Sequence, residues 1–233
     1  MPLPPWAGVK GIQDLKTVLQ KSLDAKNFEP SEWLIGLGHD DSLLKEKRHP
    51  IRIDLAEISL EIPIYLFHVS GHLGVANSKA FSIAKLSAAS KNPLGGRIRR
   101  FLNSSEPTGG VEEAAVYPFQ AMAMNSVKNP ARGFQKAIEI YAKNGITTAQ
   151  DGAASFQTRS LLGTAAERDP FDIDVIAYVT SQGIPISQIR SLNFGQYEKR
   201  IKLGGIKLIL DGSPQVKTAY LSKLYLKPPH DEG

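Results

Sequence analysis

The sequence predicts an α/β protein built from parallel strands. Short apolar segments rich in β-branched and aromatic residues recur along the chain, and amphipathic segments with helical spacing lie between them. Strands that are apolar throughout are typical of a parallel sheet covered on both faces. Several strands end in glycine next to a polar residue, in SGH, QDG and LDG. Barrels and open sheets of this class place their catalytic residues at the carboxyl ends of the strands, so the pattern fits both architectures.

The first half of the chain predicts two helices and two strands. A spacing of three and four residues places four apolar side chains on one face of a helix that begins after Gly11: Ile12, Leu15, Leu19 and Leu23. The segment WLIGLGHD predicts a buried strand that leads into a loop. A second buried strand is predicted over residues 62–69, IPIYLFHV. The next helix begins near Asn77, a residue type that suits an N-cap.

The second half alternates helices and strands after a segment of different composition. Residues 90–110 are rich in Gly, Pro, Ser and Asn, which favours an excursion from the core with a possible short hairpin. A helix is predicted from Pro130 to the stop at Gly145, followed by helices near residues 155–167 and in IPISQIR. Further parallel strands are predicted at residues 146–149, 175–179 and 206–210.

Composition limits the classes of protein. With 233 residues, 42% hydrophobic and 22% charged, the chain can bury a core as one domain, residues 1–233, in which residues 90–128 form an insertion. The net charge of +5 comes from scattered basic residues, which argues against nucleic-acid binding. The absence of cysteine excludes disulfides and thiolate metal sites. No segment is apolar enough to span a membrane, so we expect a cytoplasmic protein without membrane partners.

Three blocks, in this order, resemble a known family: FHVSGHLGVANSKAF, GITTAQDG and IKLILDGSPQVKTAY. They are similar to blocks of the amidohydrolase family 3 group, the YtcJ-like metal-dependent hydrolases. The resemblance implies a TIM (β/α) barrel that holds one or two divalent metals, zinc or similar. It also implies hydrolysis of a non-peptide C–N bond, in a small-molecule amide or cyclic amide, by metal-activated water.

The sequence departs from this family at its metal ligands. The family carries a His-x-His pair on its first barrel strand, and none occurs among the five histidines of this chain: His39, His49, His68, His72 and His230. We therefore expect an internal fragment with a partial barrel that lacks the first-strand and C-terminal segments. We further expect the chain alone to be inactive and to bind no catalytic metal.

Three site residues are predicted, the first from the resemblance and the other two from their positions at strand ends. Lys207 matches the position where a carbamylated lysine bridges two metals, and its alternative role is an ordinary lysine that reaches solvent or pairs with Asp211. His72 is predicted to contact substrate, with a backbone-bonding or helix-capping role as the alternative. Asp211 is predicted to bind substrate, although Asp before Gly is more often a turn cap. If a barrel forms, these three residues should converge on one cavity.

Structural roles are predicted for the remaining candidates. His68 is expected to bond the backbone, His39 to lie in a loop near the barrel mouth and His49 to be exposed before Pro50. Asp151 is expected to close its strand, as a cap or as a site residue. A non-catalytic α/β binding module is the alternative to the hydrolase, and it would need a closed core without outside segments.

Overall fold

The computed structural model describes most of the chain, namely residues 8–29, 31–181, 184–214, 217–223 and 225–226. The described residues of 1–127 and 211–233 form one compact unit, and those of 128–210 form a second. Both units combine helices with a β-sheet, which confirms the mixed α/β class. Within the described ranges no helix has the length and apolarity that a membrane span requires.

The first unit alternates helices with a five-stranded sheet. Its strands are β1 (Leu34–His39), β2 (Ile64–His68), β3 (Leu73–Ala76), β4 (Gly96–Arg100) and β5 (Pro107–Glu113). Its helices are α1 (Ile12–Asp24), α2 (Arg52–Ala56), α3 (Ser78–Ile83) and α4 (Tyr117–Asn125), with a 3-10 turn at Asp41–Leu43. The sheet order is β1-β2-β3-β5-β4, and only β1 and β2 run parallel.

The Gly- and Pro-rich stretch after residue 90 contains the short hairpin that its composition made possible. Strands β4 and β5 pair antiparallel, and β5 also pairs with β3, so the hairpin extends the main sheet. Ile98 and Val111 are buried in the core of this unit. The antiparallel strand β3, which the sequence did not predict, makes this connection by turning back from β2 after the SGH turn.

Helix α1 covers the sheet as its spacing predicts. Ile12, Leu15 and Leu19 are buried and pack in one cluster with residues of β1 and β2, while Leu23 is partly buried against it. A second cluster contains Tyr65, whose ring stacks on Phe119 of α4 with centroids 5.7 Å apart. Apolar burial on this scale is the main force that holds the first sheet in place.

Asn77 joins β2 to α3 through its buried amide. Its Oδ1 accepts hydrogen bonds from the backbone N–H of Ile64 and of Ala80, both at 3.0 Å, which confirms the predicted N-cap. Its Nδ2 donates to the carbonyls of Ser59 and Ile62 at 3.1 and 2.9 Å. One side chain thus pairs four backbone groups that burial would otherwise leave unsatisfied.

The second unit contains a four-stranded sheet in the order β6-β7-β9-β8. Its elements are α5 (Pro130–Lys143), β6 (Thr148–Ala154), α6 (Phe156–Arg168), β7 (Asp174–Thr180), α7 (Ile186–Arg190), β8 (Tyr197–Glu198) and β9 (Ile201–Lys207). Strands β6, β7 and β9 run parallel, as predicted, and β8 pairs antiparallel with β9. Neither this sheet nor the first closes into a barrel within the described residues.

Two strand boundaries in this unit differ from the prediction. The strand expected at residues 206–210 lies at Ile201–Lys207, because its partner β7 ends at Thr180, which pairs with Lys207. Leu208 and Leu210 therefore lie beyond the sheet and are exposed. Asp151 does not close its strand, since β6 continues to Ala154.

We predict that Asn77→Ala lowers the free energy of unfolding by about 3 kcal/mol, because it removes four hydrogen bonds and leaves buried backbone groups unpaired. Asn92→Ala is the matched control in the same unit, since the exposed Asn92 accepts one bond, from Ile98 N–H at 2.9 Å. Its cost should not exceed about 1 kcal/mol. Urea titration measures both, and equal losses would contradict the role given to Asn77.

Candidate functional site

The turn between β2 and β3 places three polar side chains at one end of the first sheet. His68 ends β2, and Gly71 takes a left-handed φ of 76° that reverses the chain before His72. The Ser70 hydroxyl lies 2.8 Å from His68 Nδ1 and accepts from the His72 backbone N–H at 3.1 Å. The predicted SGH turn is thus fixed by its own serine.

His72 forms a hydrogen bond with Glu113 at the end of β5. Its Nδ1 lies 2.9 and 3.1 Å from the two carboxylate oxygens, and the Glu113 backbone N–H donates to the His72 carbonyl at 2.9 Å. With Nδ1 protonated toward the carboxylate, Nε2 has no hydrogen-bonding partner among the described residues. The imidazole is 32% exposed, so Nε2 can meet a ligand from solvent.

Glu113 also binds the segment that follows residue 210. The Thr218 hydroxyl donates to Glu113 Oε1, and Ser213 N–H donates to the Thr218 hydroxyl at 2.9 Å. Two of the family-like blocks, SGHLGVANSKA and DGSPQVKTA, therefore meet on one carboxylate although more than 100 residues separate them in the chain. The antiparallel pairing of β3 with β5 makes this possible because it sets Glu113 beside His72.

Asp211 acts within this segment as a turn cap. Its carboxylate accepts from Gly212 N–H at 2.7 Å and from Tyr220 N–H at 2.6 Å, and the residue is exposed. The alternative role weighed from the sequence is thus present in the structure. The substrate-binding role of Asp211 and of His72 stays a prediction.

Lys207 is the last residue of β9 in the second unit, and its side chain is exposed. No ion pair of Lys207 is found among the described residues. A free ammonium cannot ligate a metal, and a carbamylated lysine needs neighbouring metal ligands to persist. The chain also lacks a His-x-His pair, which the family resemblance places on the first barrel strand. The ligand role of Lys207 remains a prediction.

A buried group of three histidines is a feature that the sequence interpretation missed. His39, at the end of β1, pairs in register with His68 at the end of β2, and His49 packs against both. The ring centroids lie 5.0 to 5.8 Å apart, and all three residues are at most 6% exposed. The expectation of an exposed His49 is therefore wrong, and His39 belongs to a strand rather than a loop.

Asp41 provides a carboxylate to this histidine group. Its Oδ1 lies 3.3 Å from His68 Nε2 and 3.5 Å from His49 Nδ1. Partial burial would raise the pKa of Asp41, but the hydrogen bond from His68 and the closeness of the His49 and His68 imidazoles lower that pKa to about 2. Asp41 is thus a carboxylate at neutral pH.

Burial keeps the imidazoles of His39 and His49 neutral. Desolvation lowers the pKa of His49 to about 3, with a further contribution from the Arg99 guanidinium. Desolvation also holds the pKa of His39 well below its ordinary value, and the nearby His68 and His49 make smaller contributions in the same direction. The ring nitrogens of His39 and Nδ1 of His49 are buried without a hydrogen bond of normal geometry. Such nitrogens are expected to find a partner when buried.

One sequence signal could have revealed this group. The predicted strands WLIGLGHD and IPIYLFHV each carry a histidine where the apolar run ends. Parallel neighbours place such ends side by side, so the two histidines could have been predicted to meet. Asp41 and His49 reach this group through the loop between β1 and α2. No repeating pattern in the sequence predicts the path of that loop. His230 lies outside the described residues.

The sequence of this chain is similar to those of two characterised proteins. The chain is 30% identical over 157 residues to an N-substituted formamide deformylase of Arthrobacter pascens, covering 64% of this chain and 28% of that protein. It is 27% identical over 244 residues to the protein LONG AFTER FAR-RED 3 of Arabidopsis thaliana, covering 97% of this chain and 41% of that one. The chain thus spans less than half the length of these relatives.

A solved structure has a similar fold. An uncharacterized metal-dependent hydrolase from Pyrococcus horikoshii OT3 superposes with a TM-score of 0.61 at 23% identity, covering 97% of this chain and 42% of that one. The sequence profile of the Amidohydrolase family matches residues 3–233, which is nearly the whole chain and includes all three blocks noted in the sequence. The chain belongs to the amidohydrolase family.

Proposed function

We propose that the chain is part of a metal-dependent amidohydrolase that cleaves a non-peptide C–N bond in a small-molecule amide or cyclic amide. The observation that carries this proposal is the meeting of two family-like blocks on Glu113, which binds His72 from one side and Thr218 from the other. Family membership over residues 3–233 supports the reaction class. The name of the deformylase relative supports an N-formyl amine as the first substrate to test.

In this proposal His72 contacts the substrate through Nε2. Glu113 holds Nδ1–H, which fixes the ring and its tautomer, as carboxylates do for imidazoles in many active sites. Neutral Nε2 accepts a hydrogen bond from an amide N–H, and protonated Nε2 donates to a carbonyl. Glu113 is a positioning residue, because its carboxylate acts through the imidazole. Asp211 lies in the segment that Thr218 joins to Glu113 and is proposed to help shape the same site.

We also propose that this chain is part of an incomplete (β/α) barrel. The parallel pairs β1 with β2, β6 with β7 and β7 with β9 support it, since parallel strands with helical connections are the unit of such barrels. The missing His-x-His pair supports the further proposal that the catalytic metal needs ligands outside this sequence. Lys207 would then be one ligand of that larger set.

We predict that His72→Gln lowers kcat/KM for an N-alkyl formamide by about 100-fold in the whole gene product, because the substrate loses its imidazole contact. Glu113→Gln should cost about 10-fold, since the amide can still accept from Nδ1–H but carries no charge. Lys79→Gln is the control, because Lys79 pairs with Glu61 at 3.6 Å and lies outside the site. Initial rates measure all three, and a fully active His72→Gln variant would refute the substrate contact.

A second prediction concerns the chain by itself. With zinc or manganese and bicarbonate, the 233-residue chain should hydrolyse neither N-formyl amines nor cyclic amides, because it lacks most family metal ligands. A longer product, extended into in-frame coding sequence that contains a His-x-His pair, should gain turnover. Product formation by the chain alone at the rate of the longer protein would contradict the fragment proposal. An extended protein that binds amides without cleaving them would favour a non-catalytic α/β binding module.

A further inference from the structure

The buried histidine group offers three metal-ligating side chains at the carboxyl ends of two parallel strands. His68 is the last residue of β2, Asp41 follows β1 by two residues, and His49 comes from the loop before α2. Their ligand atoms all lie within 4.8 Å of one another. None of the three belongs to the site proposed around His72 and Glu113.

The distances match those between ligands of one ion. Asp41 Oδ1 stands 3.3 Å from His68 Nε2 and 3.5 Å from His49 Nδ1. Donor atoms around a tetrahedral zinc with bonds of about 2.0 to 2.1 Å are separated by about 3.4 Å. Two edges of the triangle therefore already have the required length. The third, between the two imidazoles, is at most 4.8 Å, so the two nitrogens must approach by up to about 1.4 Å to reach the same separation.

Burial surrounds the two imidazoles with protein and leaves one ring nitrogen without a hydrogen bond. The side chains of His49 and His68 are 8% and 4% exposed, whereas Asp41 is 33% exposed and leaves a route for an ion. His49 Nδ1 is buried without a hydrogen bond, and its 3.5 Å distance to Asp41 is too long to count as one. A bound ion would give this nitrogen a partner and balance the Asp41 carboxylate.

Ser70 supports His68 as an outer-shell residue supports a metal ligand. The Ser70 backbone N–H donates to His68 Nδ1 at 3.1 Å, which leaves the proton on Nε2 facing Asp41. When Nε2 ligates an ion, the proton moves to Nδ1, where the Ser70 hydroxyl at 2.8 Å accepts it and the hydrogen bond from the Ser70 backbone N–H is lost. His68 therefore changes tautomer without a net gain or loss of protons.

The surrounding charge permits a cation. Arg99, whose charge acts on His49, is itself paired with Glu112 through an Nε–Oε1 contact of 2.6 Å between two buried side chains. The guanidinium charge is thus largely neutralised on that side. Two imidazoles and one carboxylate suit first-row transition metals better than calcium or magnesium, which prefer oxygen ligands.

We propose that Asp41, His49 and His68 form a binding site for one divalent transition metal of the zinc type, distinct from the metal centre of the family. The ion joins the ends of β1 and β2 to the loop before α2 and leaves at least one coordination position for water. The sequence-based expectation of no bound metal considered only the family's ligands and did not include these residues. The site does not depend on the proposed hydrolase activity.

The test is metal binding by the chelator-treated, dialysed protein, titrated with zinc chloride and with cobalt chloride. Wild type should bind one ion at this site, with a visible cobalt spectrum typical of low coordination number. Asp41→Asn, His49→Gln and His68→Gln should each weaken binding at least 100-fold. Asp40→Asn and His72→Gln are matched controls next to these residues and should bind as wild type does. Lys207→Met should also leave this ion bound, which separates it from a family site.

X-ray absorption of the zinc-loaded wild type covers the case in which a variant fails to fold. Two imidazole nitrogens in the first shell, completed by oxygen, support the site. An oxygen-only shell overturns it, as does a wild-type protein that binds no zinc. Folded variants at Asp41, His49 and His68 that keep wild-type affinity overturn it as well.

Discussion

The parallel pairing of β1 with β2 is the constraint on which the polar chemistry of the first unit depends. Both strands are short and largely apolar, and their register runs from Leu34 opposite Ile64 to His39 opposite His68. Because they are parallel, their carboxyl ends reach the same edge. Gly38, with a φ of 80°, lies at the irregularity in β1 that brings His39 level with His68.

A second connection follows from the antiparallel strands that the sequence did not predict. The chain reverses after β2, and β3 pairs with β5, so that Glu113 lies next to His72. Glu113 has a left-handed φ of 48°, an uncommon conformation for a residue with a side chain. Such conformations persist where surrounding contacts hold them, and here His72 and Thr218 both bind the carboxylate.

Local signals predicted much of the fold. The helical spacing from Ile12, the cap at Asn77 and the Pro130 start of α5 were read correctly, because each depends on neighbours in sequence. Strand β9 was misplaced because its limits are set by the length of β7, a partner more than 20 residues away. The β4–β5 hairpin was underrated because glycine and proline indicate turns without showing what the turns connect.

The site was predicted less completely, since each histidine was judged alone. His72 was identified from its position after a predicted strand, but its partner Glu113 follows only from the β3–β5 pairing. Asp41, His49 and His68 come from three separate segments, and their meeting is a tertiary fact.

The most direct test of this account is the anomalous difference density of zinc-loaded crystals measured above the zinc edge. The account predicts one peak within about 2.1 Å of His49 Nδ1, His68 Nε2 and an Asp41 oxygen. Zinc-loaded crystals without density among these three side chains would contradict it.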